Sequence, residues 1–86
     1  SLMQLQVKAY PNPTTGDITL SMTGFDEGQV VIRVFDIFGK TVMNTGHYLV
    51  RGRGTMPVQL GNVTNGVYMI QVSQKDKVKT LKLLKN

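Results

Sequence analysis

Val30-Val31-Ile32-Arg33-Val34-Phe35-Asp36-Ile37-Phe38-Gly39-Lys40-Thr41-Val42 is the stretch on which the fold reading turns. In an extended chain Val30, Ile32 and Val34 share one face, and Val31, Arg33 and Phe35 share the other. β-Branched residues dominate the run. It ends at Asp36-Ile37-Phe38-Gly39, where Asp tolerates a turn and Gly39 can take a positive φ. A new extended run then starts at Thr41. The pattern is that of a β-hairpin.

Working outward, the same pattern recurs along the chain. Leu5, Val7 and Ala9 share a face, as do Ile18, Leu20 and Met22. Met56, Val58 and Leu60 form another row, and Tyr68, Ile70 and Val72 a further one. Turn signals separate the runs at Pro11–Gly16, Gly24–Gly28, Asn44-Thr45-Gly46, Arg51-Gly52-Arg53-Gly54, Gly61–Gly66 and Gln74–Lys77. Their spacing of roughly 8–12 residues is that of short strands in a sandwich or barrel. We expect about seven strands and essentially no helix. Pro57 cannot donate to a sheet ladder, so its strand belongs at an edge.

The final segment, Lys77–Asn86, reads two ways. As a strand, Val78 and Thr80 lie on one face and Leu81 and Leu83 on the other, so the apolar face would switch near residue 80, as at a bulge. As a helix, Val78, Leu81 and Leu84 would form a stripe flanked by lysines. The run is too short for a helix to stand alone, which favours the strand.

The chain has 86 residues, one His and no Cys or Trp. That suits one small domain. Residues 1–7 read as a linker remnant and the entry to the first strand, and residues 8–86 as a single β-sandwich. Ser1-Leu2-Met3 has neither the basic nor the apolar region of a signal peptide. No apolar run approaches the roughly 18 residues of a membrane span, so direct membrane insertion is not expected. Without Cys there is no disulfide framework or cysteine-ligated metal. The net charge is +5, but residues 1–50 carry −1 and residues 51–86 carry +6. The charge question therefore concerns the C-terminal third.

The search for catalytic chemistry returns little. His47 has no nucleophile or orienting acid nearby in a recognisable motif. Asp26-Glu27 are adjacent and point apart in an extended chain. Asp17, Asp26, Glu27 and Asp36 lack calcium-loop spacing. Arg51-Gly52-Arg53-Gly54 is too short for a phosphate loop or an RNA-binding segment and reads as an exposed hairpin turn. Asn62-Val63-Thr64 meets the glycosylation sequon, in a place where turn chemistry alone explains the Asn. The lysine-rich end lacks interleaved aromatics, which argues against nucleic acid. We expect no enzyme, no cofactor and no metal.

Four patterns in order resemble one family. They are Tyr10-Pro11-Asn12-Pro13-Thr14-Thr15-Gly16, then Ile32–Val42, then Leu60–Val72 with Asn65-Gly66-Val67-Tyr68, and finally Lys79-Thr80-Leu81-Lys82-Leu83-Leu84-Lys85-Asn86. Together, over residues 8–86, they are similar to the type A C-terminal sorting domain of cargo proteins of the Por, or type IX, secretion system. The resemblance implies an Ig-like antiparallel β-sandwich that acts as a secretion signal behind a fused cargo domain. It implies recognition by an outer-membrane translocon and removal by a surface sortase-like protease. It implies transit through the periplasm and then residence at the cell surface or outside. Carried over residue by residue, the signal positions are Gly66, Tyr68, Lys79, Thr80, Lys82, Leu83, Leu84 and Lys85. Pro11, Asn12, Pro13, Gly16, Asp36 and Gly39 would be structural. Leu83-Leu84 stands where β-branched residues are common in the family. Recognition is expected in an exposed tail, and an edge-strand dimer is compatible with the fold. The competing reading is an Ig-like or fibronectin-like module that binds carbohydrate or protein through Tyr10, Tyr48 or Phe38.

Overall fold

The computed structural model describes residues 4–86; residues 1–3, read above as part of a linker remnant, lie outside them. Seven strands follow one another: β1 (Gln6–Tyr10), β2 (Asp17–Thr23), β3 (Gly28–Asp36), β4 (Thr41–Leu49), β5 (Gly54–Gln59), β6 (Gly66–Gln74) and β7 (Lys77–Lys85). They form two antiparallel sheets, in the orders β1-β2-β5 and β4-β3-β6-β7. This is the small seven-stranded sandwich that the period-two rows and the resemblance lead to.

The rows explain the layering. Ile18, Leu20 and Met22 of β2 turn inward from one sheet. Val30, Ile32 and Val34 of β3 and Tyr68, Ile70 and Val72 of β6 turn inward from the other. Leu49, Val58 and Leu83 complete the layer, and Phe25 and Leu60 close it from the loops. Burial of each such side chain contributes roughly 1.5–3 kcal/mol. Pro57 sits opposite Thr19 on β5, which pairs only with β2 and is an edge strand.

Two local expectations fail. Asn44-Thr45-Gly46 is not a turn. These residues lie in the middle of β4, opposite Arg33, Ile32 and Val31. The nine-residue β3 offers a long ladder, and that pairing outweighs a local turn preference. The register shift of this pair lies outside the segment, between Val34↔Met43 and Phe35↔Thr41, next to the β3–β4 turn. Nor does β7 switch faces near residue 80. Its register with β6 runs unbroken from Gln74↔Lys77 to Gly66↔Lys85. Leu81, Leu83 and Lys85 face inward, while Val78, Thr80, Lys82 and Leu84 are exposed. The inward row of β6 sets this parity, because a one-residue slip would turn Leu83 to solvent.

The β4–β5 turn is tighter than its sequence suggests. Arg51 and Gly52 have φ of 58° and 72°. Gly52 is buried, and the Phe25 N–H donates to its carbonyl at 3.2 Å. A Cβ on Gly52 would lie 1.9 Å from the Phe25 carbonyl oxygen. We expect Gly52→Ala to lower unfolding free energy by about 3 kcal/mol or more in a urea titration, because backbone must move. Gly39→Ala, with φ of 84° but open space around it, should cost only about 1–2 kcal/mol.

Candidate functional site

β7 has β6 on one side only, so alternate backbone groups point away from the sheet. Among the described residues, the segment between β1 and β2 meets them near the C-terminus. The Asn12 side chain works like a short strand: its Nδ2 donates to the Lys82 carbonyl at 2.9 Å, and its Oδ1 accepts from the Leu84 N–H at 3.1 Å. Thr14 continues the ladder. Its N–H donates to the Leu84 carbonyl and its carbonyl accepts from the Asn86 N–H, both at 2.9 Å. Thr14 is buried, and its hydroxyl accepts from the Gly16 N–H and donates to the Asp17 carbonyl, both at 3.0 Å. Pro11 and Pro13, which flank Asn12, are exposed and follow cis peptide bonds.

The Gly66 segment arrives from the other side. Gly66 sits opposite Lys85 and Tyr68 opposite Leu83. The Tyr68 ring is buried, and its hydroxyl donates to the Thr64 carbonyl at 2.5 Å and meets the Thr64 hydroxyl at 3.2 Å. Lys85 is buried too, and its ammonium donates to the Val63 carbonyl. The first, third and fourth sequence patterns therefore converge on one end of the sandwich.

The expected exposed tail is thus half core. Leu83 and Lys85 are enclosed, because their parity in β7 points them between the sheets. Lys79, Thr80, Lys82 and Leu84 are exposed. Lys77 is tied to Asp26 at 3.2 Å and to the Gly24 carbonyl at 3.3 Å. Thr80, Lys82 and Leu84 form one outward row, and Lys79 is exposed on the opposite face.

Asp36 and Gly39 shape the β3–β4 turn at this same end, with Asp36 opposite Tyr68 across the sheet from β7. One Asp36 carboxylate oxygen accepts from the Phe38 and Lys40 N–H groups, each at 2.9 Å. The Gly39 N–H donates to the Asp36 carbonyl at 3.0 Å. Arg33 reaches over from β3, donating to the Gly39 carbonyl at 2.9 Å and the Thr41 hydroxyl at 2.7 Å.

The alternative aromatic platform does not assemble. Tyr48 lies opposite Gln29 near the start of β3, whereas Phe38 lies beyond its end. That separates them by on the order of 20 Å along the strand. The Tyr48 hydroxyl donates to Glu27 at 3.3 Å, and the adjacent carboxylate charge raises its pKa above the usual tyrosine value. The loop acids are dispersed as well: Asp26 pairs with Lys77, Glu27 meets Tyr48 and the Arg51 N–H, and Asp36 serves its own turn. His47 stands on β4 opposite Val30.

The family model for the secretion system C-terminal sorting domain matches residues 8–86. The chain belongs to that family. No curated protein matches it. As a sorting domain it is a C-terminal secretion signal, a role that is non-catalytic in general. Membership implies attachment to a cargo, interaction with secretion machinery, and export to the cell surface or the extracellular space. What sequence reasoning missed in this sorting domain is the job of Asn12. An Asn between two prolines reads as turn chemistry, and only the approach of β7 makes it a ladder partner.

Asn12→Ala should cost about 0.5–1.5 kcal/mol, since it passes the exposed Lys82 carbonyl and Leu84 N–H to water. Amide hydrogen exchange measured by NMR should accelerate more at Leu84 and Asn86, through local opening, than at Ile32, which follows global stability.

Proposed function

We propose that this domain directs an attached cargo across the outer membrane through the type IX (Por) machinery. In this reading the outer-membrane translocon contacts the exposed residues of β7, the outward row Thr80, Lys82 and Leu84 together with Lys79, which is exposed on the opposite face of the strand. Gly66, Tyr68, Leu83 and Lys85 act by holding that row in register, and Pro11, Asn12, Pro13 and Gly16 by covering its edge. The cargo would pass through the periplasm. A surface sortase-like protease would cut in the linker N-terminal to Tyr10. The observation that carries the reading is the split within β7. The end of one face is locked into the core through Leu83 and Lys85, while the other face presents Thr80, Lys82 and Leu84 on a fixed ladder, with Lys79 exposed beside them. A rigid, patterned strand face is suited to a protein receptor, because little ordering entropy is lost on docking.

Removal of residues 79–86 would strip Leu83 from the core and confound a transport defect with unfolding. Charge reversal on the exposed residues avoids this. Residues 1–86 fused behind a periplasmic reporter should be exported in a bacterium that carries the machinery. The double variant Lys79→Glu/Lys82→Glu should keep the wild-type circular dichroism melt and remain inside. Export of that variant at the wild-type level would overturn the assignment of these residues.

A further inference from the structure

The outward side of the four-stranded sheet continues from the tail across to the β3–β4 turn. Leu84 is paired with Val67, Lys82 with Met69, and Met69 with Phe35. Leu84 is exposed, and Val67, Met69 and Phe35 are only half-buried. Beyond them Ile37 is 67% exposed and Phe38 is 88% exposed. Residues 36–38 and 64–68 together line a shallow cleft of about 180 Å³. The apolar surface is therefore continuous from the tail to Phe38.

Two features separate Phe38 from a stray surface aromatic. Its loop is held by the Asp36 and Arg33 hydrogen bonds described above, so the ring is presented on a fixed frame. Its surroundings are also one-signed. The charged residues on the outward rows of β3, β6 and β7 are Arg33 and Lys82, and Lys40 follows on the loop. The nearby Asp36 carboxylate is engaged by two backbone N–H groups. Large exposed aromatics on rigid frames, ringed by polar groups, are the usual form of an interface anchor.

We infer that Phe38, flanked by Ile37, Phe35, Met69 and Leu84, inserts into an apolar pocket with an acidic rim on the protein receptor that reads the tail. This rests on the sorting reading above and extends its contact surface across the same outward face toward the opposite edge of the sheet. A protein pocket fits better than a lipid surface. The Arg33 guanidinium is committed to Gly39 and Thr41 and packs 4.2 Å from the Phe35 ring centroid, which leaves Lys82 and Lys40 to face a carboxylate rim and too few cations for an anionic headgroup surface. A single preorganised ring also matches a shaped cavity, whereas interfacial anchoring relies on a broad apolar face with many cations.

The test uses the reporter fused to residues 1–86 in a bacterium with the secretion machinery. Phe38→Ala should fold with an unchanged melt and lower export roughly tenfold or more, the scale of an anchor residue. Phe38→Leu should recover part of it. Tyr48→Ala, at the far end of the sheet, should leave export unchanged. A photo-crosslinking residue at position 38 should label an outer-membrane translocon subunit, and the same residue at position 48 should not. Wild-type export by Phe38→Ala would overturn the inference while leaving the tail reading intact. Retention of the unmodified fusion would instead overturn the sorting reading and, with it, this one. Binding of the purified domain to phosphatidylglycerol vesicles that is lost in Phe38→Ala would replace the receptor pocket with a membrane surface.

Discussion

The end of the last strand is the constraint around which this domain is arranged. β7 must keep Leu83 in the core, yet it has a sheet neighbour on one side only. Its outer backbone groups at Lys82, Leu84 and Asn86 would otherwise form a bare edge beside a buried side chain. Asn12 and Thr14 supply the missing partners. The Asn12 bonds are exposed and the Thr14 bonds come from a buried residue, and each contributes roughly 0.5–1.5 kcal/mol to holding the strand end in place. The result binds the first loop of the domain to its last residues.

That closure also organises the charge. Lys85 is drawn between the sheets and finds the Val63 carbonyl, which makes burial of an ammonium tolerable. Lys77 is drawn toward Asp26 and Gly24 at the other end of the strand. The lysines between them are left in solvent. A basic run that looks uniform in sequence is therefore divided into two structural anchors and a short exposed group. Net charge alone would point to polyanions, whereas this distribution fits a protein that reads position as well as sign.

Much of the sandwich was legible because its signal is local and periodic. The rows in β2, β3 and β6 each alternate cleanly, and Pro57 marked its own edge strand. The failures have a common cause. Asn44-Thr45-Gly46 has turn chemistry, but β3 beside it imposes a strand. Val78 is apolar and suggested a switch of face, but the inward row of β6 fixes the parity of the whole strand. Gly52 looked like part of an exposed turn, but Phe25 packs its carbonyl against it. In each case pairing with a neighbouring strand or loop overrode a local preference.

By itself the sequence determined the strand count, the inward rows and the order of the four motifs that mark the family, because period-two hydrophobicity and turn residues act over a few residues. The tertiary structure alone decided which tail residues are anchors and which are open to solvent. It also decided that Asn12 serves β7 and that Phe38 shares a surface with Leu84. Those outcomes depend on which backbone groups and faces meet across the fold. Strand pairing over separations as long as that between Asn12 and Leu84 leaves no periodic trace in the chain.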